Sequence, residues 1–553
     1  MSRITSKTFL LRLILYFHFI VIILTFTYVS AQDNINILRY NMQIEPTTID
    51  PQRVAEVPEI GMASLNYEAL FEINENGDAV PAAAEAVTVS SNGLIYTVTL
   101  KNDLVYSDGT PLTAFNFEYA FKRLFDPTLV GRPSASMAYV IRGAQELSEF
   151  QDVTDQEKLD GLKEALGVKA TNAHTIVFEL NTPAAYFPYI LASHIGFPVR
   201  EDLVNAGGSE WASDELGLYY VGNGPFILRS WIHGSGMKWE ANPLYRKGRP
   251  KLDMLDIRQI GDFNLAFQAY LNNEIDVVSL SSDNISNVKN NPEFEDEYAE
   301  VSGSTGFLVF NTLLEPFNDI RIRQAFTFGL DREDYVNVVL NGAGSPAVSL
   351  IPPGSPGFSP EIIQGNFDPE HGRELLATAG YPDGVGLPQI TLTYPTGRNF
   401  ELTIEWLQDQ LLNNLGIAVR LESMESTSYY SLFNDPSRIP QLWFSGYSQR
   451  FPDPQNWLSA IFHSDAGLFP TGWNNERFDA LTQQADAEQN PDHRSELYEE
   501  AHQILTTEAP VVFMNWYINA YLVKPDIVGM RDHIVAHDFA MPGFTNVVNI
   551  DIK

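Results

Sequence analysis

No cysteine occurs anywhere in the 553 residues. Disulfide scaffolds, thiolate zinc sites, iron–sulfur clusters and cysteine nucleophiles are therefore excluded, and so is a thioether lipid anchor at a signal cleavage site. Positive charge is scarce as well: 35 Lys and Arg stand against 70 Asp and Glu, for a net charge of −35. Such a surface repels phosphate backbones and anionic lipid, which argues against nucleic-acid and membrane-surface partners. Catalytic signatures are missing too, with no G-x-S-x-G elbow, Walker loop, G-x-G-x-x-G or H-E-x-x-H. His533 and His537 are an i, i+4 pair without the intervening Glu, and the remaining His read as surface or capping residues. Glu295-Asp296-Glu297 reads as a solvated charge run, and Asn74-Glu75-Asn76-Gly77-Asp78 as a turn that lacks the spaced ligands of a calcium loop. No cofactor is required.

What the chain does have is ordinary globular composition, 44% apolar and 19% charged, and a length that suggests roughly three or four domains. Arg3, Lys7 and Arg12 lead into an apolar run from Leu13 to Phe26 that ends at Val29-Ser30-Ala31. This is the pattern of an export signal over residues 1–31, cleaved or retained as an uncleaved anchor. Its removal takes away three positive charges and leaves about −38.

Element patterns indicate α/β architecture. Leu94 to Leu100 predicts a strand with Tyr96, Val98 and Leu100 on one face, and Phe117, Ala120, Phe121 and Leu124 predict a helix stopped at Asp126-Pro127. A further strand is predicted over Thr175 to Leu180, and Leu497, Ala501, Ile504 and Leu505 mark a helix before the strand Val511-Val512-Phe513. Two stretches read as βαβ units. One runs from the strand Asp256–Ile260 through a helix capped by Asp262 to the strand Asp276–Leu280. The other runs from Ile390–Tyr394 through a helix closed by Gly416 to the alternating Ile417, Val419 and Leu421. Their wide separation predicts two α/β lobes in preference to one sheet.

The last quarter is crowded with aromatics: Tyr429, Tyr430, Trp443, Phe444, Tyr447, Phe451, Trp457, Trp473, Trp516, Tyr517 and Tyr521. More than half belong to a core; the others, beside Gly, Pro and Asp, suit a pocket beyond strand ends. An exported, two-lobed, aromatic-rich protein without catalytic machinery reads as a binding protein.

Motifs then carry a resemblance. Asn66-Tyr67-Glu68-Ala69-Leu70, Tyr106-Ser107-Asp108-Gly109-Thr110-Pro111, Gly222-Asn223-Gly224-Pro225-Phe226, Asn242-Pro243-Leu244-Tyr245, Pro316-Phe317-Asn318-Asp319-Ile320-Arg321, Ala379-Gly380-Tyr381, Pro452-Asp453-Pro454 and Leu522-Val523-Lys524-Pro525 occur in this order from about Ile37 to Met530. Together they resemble the family 5 extracellular solute-binding proteins, the peptide, nickel and oligosaccharide receptors of ABC importers. The resemblance implies a type II, cluster C periplasmic-binding fold: domain I from 32–70, 186–300 and 501–553, an inserted domain II at 71–185, and domain III at 301–500. It implies a monomer that passes an oligopeptide, oligosaccharide or anionic conjugate to an ABC permease, in a periplasmic or extracellular location.

In peptide-binding relatives the ligand pairs its backbone with short strands from both lobes. The resemblance assigns these to Ala55-Glu56-Val57 and to Gly446-Tyr447-Ser448-Gln449-Arg450, with Tyr517 as an aromatic pocket residue from the hinge region. One position departs. Where relatives that hold free peptides carry an aspartate for the ligand's α-ammonium, this sequence has Arg450, which repels an ammonium. Two readings stand: a ligand without a free amino terminus at that spot, or an arginine turned to Asp453 or Glu56. The rival classes are an exported hydrolase of peptides or sugars, and a binding domain that signals through a receptor.

Overall fold

The computed structural model describes residues 35–54, 56–208, 211–213, 217, 219–396, 400–465, 467–531 and 544–553. The export-signal segment, His533 and His537 lie outside the described residues. Among those described, no helix is long and apolar enough to cross a membrane.

The strand Ile95–Leu100 buries Tyr96, Val98 and Leu100 on one face, as its alternation predicts. It belongs to an antiparallel four-stranded sheet in which it lies between Ala84–Val89 and Thr175–Glu179, with Val168–Asn172 beyond. The helix Ala114–Phe125 covers this sheet with Phe117, Phe121 and Leu124, and Asp126 leaves helical geometry to end it.

All the other long strands join one eleven-stranded sheet. At one end Met254–Gln259 and Val277–Ser279 run parallel to Ile37–Met42 on its two sides, joined by the helix Phe263–Leu271. The carboxylate of Asp262 accepts from the Asn264 and Leu265 amides at 2.9 Å each, the expected N-cap. At the other end Ile390–Pro395 pairs in parallel with Val419–Met424 across the helix Glu401–Leu415. That helix stops at Gly416, at φ +70°, where a Cβ would sit 2.4 Å from the Asp383 carbonyl oxygen.

The expectation of two lobes in preference to one sheet is corrected in part. The apolar cores are separate, one around Leu38, Trp231 and Trp239 and others around Trp443, Trp457, Phe326 and Leu407. The hydrogen-bonded ladder is nevertheless continuous, because two 13-residue strands, Tyr298–Phe310 and Val511–Val523, run from one lobe into the other. The second of these extends ten residues beyond the predicted Val511–Phe513. Their pairing slips between Val301 and Ser304 and again between Gly306 and Phe307. Bulges bend a ladder locally, so the two strands bend at these slips as they pass between the lobes.

Candidate functional site

The strand Leu442–Ser448 lies beside the hinge strands. Along one edge it pairs with Phe310–Ser304 over its full length; along the other it meets Ile390–Pro395 only at Leu442. From Ser445 to Ser448 that second edge has no strand partner among the described residues, so its main-chain donors and acceptors face outward. Gly446 and Ser448 are exposed, and the Ser448 hydroxyl lies 2.6 Å from that of Ser304.

Tyr517 comes from the second hinge strand, opposite Ser304. It is half-buried, and burial pushes its phenol up to about 12, so it stays neutral. Its ring rests over two glycines. A Cβ on Gly306 would stand 3.1 Å from the Tyr517 ring and hydroxyl and 2.4 Å from Asn515 Oδ1; one on Gly446 would stand 3.6 Å from the same ring. Only a side chain reduced to hydrogen at 306 leaves the tyrosine room to lie on the sheet.

Two expected contact residues have their side chains elsewhere. Tyr447 is 8% exposed, packed edge-on against Trp457, with its hydroxyl donating to Asn456 Oδ1 at 3.2 Å. Gln449 is buried and accepts from the Trp457 indole at 3.1 Å, while its amide donates to the Gly303 carbonyl at 3.0 Å. Both side chains anchor the strand end to the core and take no part in the exposed edge. Of the crowded aromatics, only Tyr430 and Tyr517 escape burial, so that stripe is almost wholly core.

Arg450 is exposed, and its guanidinium makes no hydrogen bond or ion pair among the described residues; only its amide is fixed, donating to Asn456 Oδ1 at 2.7 Å. It does not turn to Asp453, because Arg494 already holds that carboxylate with two bonds of 2.7 and 2.8 Å. It does not pair with Glu56 either. The next residue, Phe451, crosses to the first lobe and stacks on Tyr186 and Tyr189, with ring centroids 6.3 Å from each. The Arg450 charge reaches His194, which begins a short 3-10 turn just after the Phe187–Ala192 helix. His194 is 6% exposed; burial first, and the Arg450 charge second, lower its pKa to about 4. It was missed in the sequence, where nothing marks it apart from the other nine His.

The first-lobe strand expected at Ala55-Glu56-Val57 is not formed as such. Ala55 lies outside the described residues, Glu56 is extended, and Val57 opens the helix Val57–Asn66. Pro58 favours a helix start, and Glu59 reaches back to accept from the Glu56 amide at 3.2 Å. Glu56 and Val57 are exposed, and no hydrogen bond or ion pair joins them to the 442–448 strand.

With this geometry in place, the comparisons follow. Residues 78–469 match the model of the bacterial extracellular solute-binding proteins, family 5 Middle. The oligopeptide-binding protein OppA of Bacillus subtilis is 28% identical over 506 residues, covering 89% of this chain and 90% of its own. The periplasmic murein peptide-binding protein MppA of Escherichia coli is 28% identical over 498 residues, 88% of each chain. The unliganded open form of MppA superposes with a TM-score of 0.78 at 26% identity, over 94% of this chain and 98% of that one.

Proposed function

This chain belongs to the bacterial extracellular solute-binding proteins of family 5, and on that premise we propose that it captures an extended, peptide-like solute between its lobes by hinge closure. It is a substrate-binding protein of the ABC-importer type, which displaces the alternative of an exported hydrolase. The observation that carries the finer reading is the unpartnered edge from Ser445 to Ser448, beside the hinge and under Tyr517. A strand edge recognises main chain without regard to side-chain identity.

In this reading Gly446, Ser448 and the backbone of Tyr447 and Gln449 form the floor, with Tyr517 and Arg450 above it. Ala55, Glu56 and Val57 belong to the facing wall and close onto the ligand with the lobe. Closure stores no work of its own: the ligand draws the lobes together only because it binds the closed state better. The boundaries 32–70, 186–300 and 501–553, 71–185, and 301–500 are the domain assignment that goes with this motion. Residues 1–31 export the chain, and without a cysteine it is held by no thioether lipid. It acts as a single copy that delivers its solute to a membrane permease.

Native mass spectrometry of the purified protein with its co-purified solute tests the proposal. The expected result is a ladder of peptide masses released on denaturation. A single non-peptide mass, or cleavage of added peptides by the protein, overturns it.

A further inference from the structure

A chain with two acidic residues for every basic one has no shortage of counter-ions. Arg450 is nevertheless exposed with its guanidinium unpaired among the described residues, because the nearby Asp453 is claimed by Arg494. Its position is fixed from both sides: the Arg450 amide is tied to Asn456, and Phe451 is wedged against Tyr186 and Tyr189 of the opposite lobe. On that opposite lobe lies His194, more than nine-tenths buried, whose Nε2 finds no hydrogen-bond partner among the described residues. A buried polar atom left without a partner needs an explanation, and a bound group that reaches it is one. Two groups missing the same kind of partner thus lie near enough for the charge of one to act on the other, one a permanent cation and the other a ring that donates once it carries a proton at that atom.

We infer that Arg450 and His194 form a carboxylate subsite at the end of the 445–448 edge, which takes the carboxyl terminus of a bound peptide. The guanidinium offers paired N–H donors in the plane a carboxylate needs. The imidazole supplies a further donor from the other lobe. Because the two residues come from different lobes, a carboxylate held by both ties the lobes together at this point. Burial first, and the field of Arg450 second, lower the proton affinity of His194; an arriving carboxylate opposes the second of these. Nearby Tyr447 feels the same cation, but its hydroxyl is committed to Asn456. The subsite also fixes the direction of the chain, since an ammonium is repelled at this end.

This inference rests on the peptide reading above, and one titration series separates the two. Binding of N-acetyl-trialanine, which bears only the carboxylate, and of N-acetyl-trialanine amide, which bears no charge, is measured calorimetrically on the native protein, on R450Q and R450K, and on His194→Gln. The acid is expected to bind at least tenfold more tightly than the amide. In R450Q the ratio falls to within twofold, in R450K most of it survives, and in His194→Gln it drops several-fold. Circular dichroism and thermal unfolding confirm that each variant is folded; Arg450 is exposed, so R450Q is expected to retain the native melting profile. Equal binding of acid and amide, or an unchanged ratio in R450Q, overturns the subsite and leaves the peptide reading intact. If neither probe binds, the peptide reading falls and the subsite falls with it.

Discussion

Replacing Arg494 by Met tests how the loop that carries Arg450 and Phe451 is held. Arg494 donates to both oxygens of Asp453 at 2.7 and 2.8 Å, to the Tyr498 hydroxyl at 3.2 Å and to the Ala485 carbonyl at 3.1 Å. Asp453 is 1% exposed and also caps the turn at Pro454, accepting from the Gln455 amide at 2.8 Å. A second buried carboxylate, Asp486, accepts from Tyr498 and Ser459 alongside. One cation therefore serves two buried acids. Removing it strands Asp453 without a counter-charge, and breaking a buried pair from one side costs about 3–5 kcal/mol. Asp453→Asn leaves the guanidinium with the Asp486 charge alone and costs less. The double variant D453N/R494M strands neither member of the Asp453–Arg494 pair, so its loss is smaller than the sum of the singles by about 1–3 kcal/mol. Urea unfolding followed through the eight tryptophans measures all three. Additive losses, or an R494M cost below about 1 kcal/mol, would refute the claim that this pair pins the loop.

Gly306→Ala places a methyl 2.4 Å from Asn515 Oδ1 and 3.1 Å from Tyr517; overpacking of this kind costs about 1–3 kcal/mol. Affinity for the co-purified solute should fall while the lobes still melt cooperatively, and undiminished binding would remove Tyr517 from the site. Asp486 gives a pH signature, since burial raises its pKa from 3.8 to about 6. A carboxyl whose folded pKa is raised favours the folded state fully below about pH 4, and that advantage disappears as pH rises through about 6, amounting to about 3 kcal/mol. Asp486→Asn should therefore gain stability over the parent chain at pH 7.5 and lose that gain at pH 4, as read from denaturant midpoints; an equal gain at both values would show that the carboxyl is not the source.

The features legible in the sequence are those set by neighbours a few residues away. Asp262 caps its helix and Gly416 ends another because both devices act within one helical turn. The helix at Val57 has equally local causes, Pro58 and the three-residue spacing of Glu56 and Glu59, whereas the resemblance implies a strand there. Continuity of the main sheet was not legible, since it depends on Ser304 meeting Tyr517 more than two hundred positions later. Burial of His194 likewise follows from packing between lobes. Arg450 is the sharpest case. Local reading offers it Asp453, three residues on, as an obvious partner. The outcome is decided by Arg494, which reaches the same carboxylate from a helix 41 positions further along and holds it with two bonds. A carboxylate engaged on both oxygens has little left for a second guanidinium, and so the competition between two arginines for one buried acid is what leaves an exposed cation unpaired among the described residues.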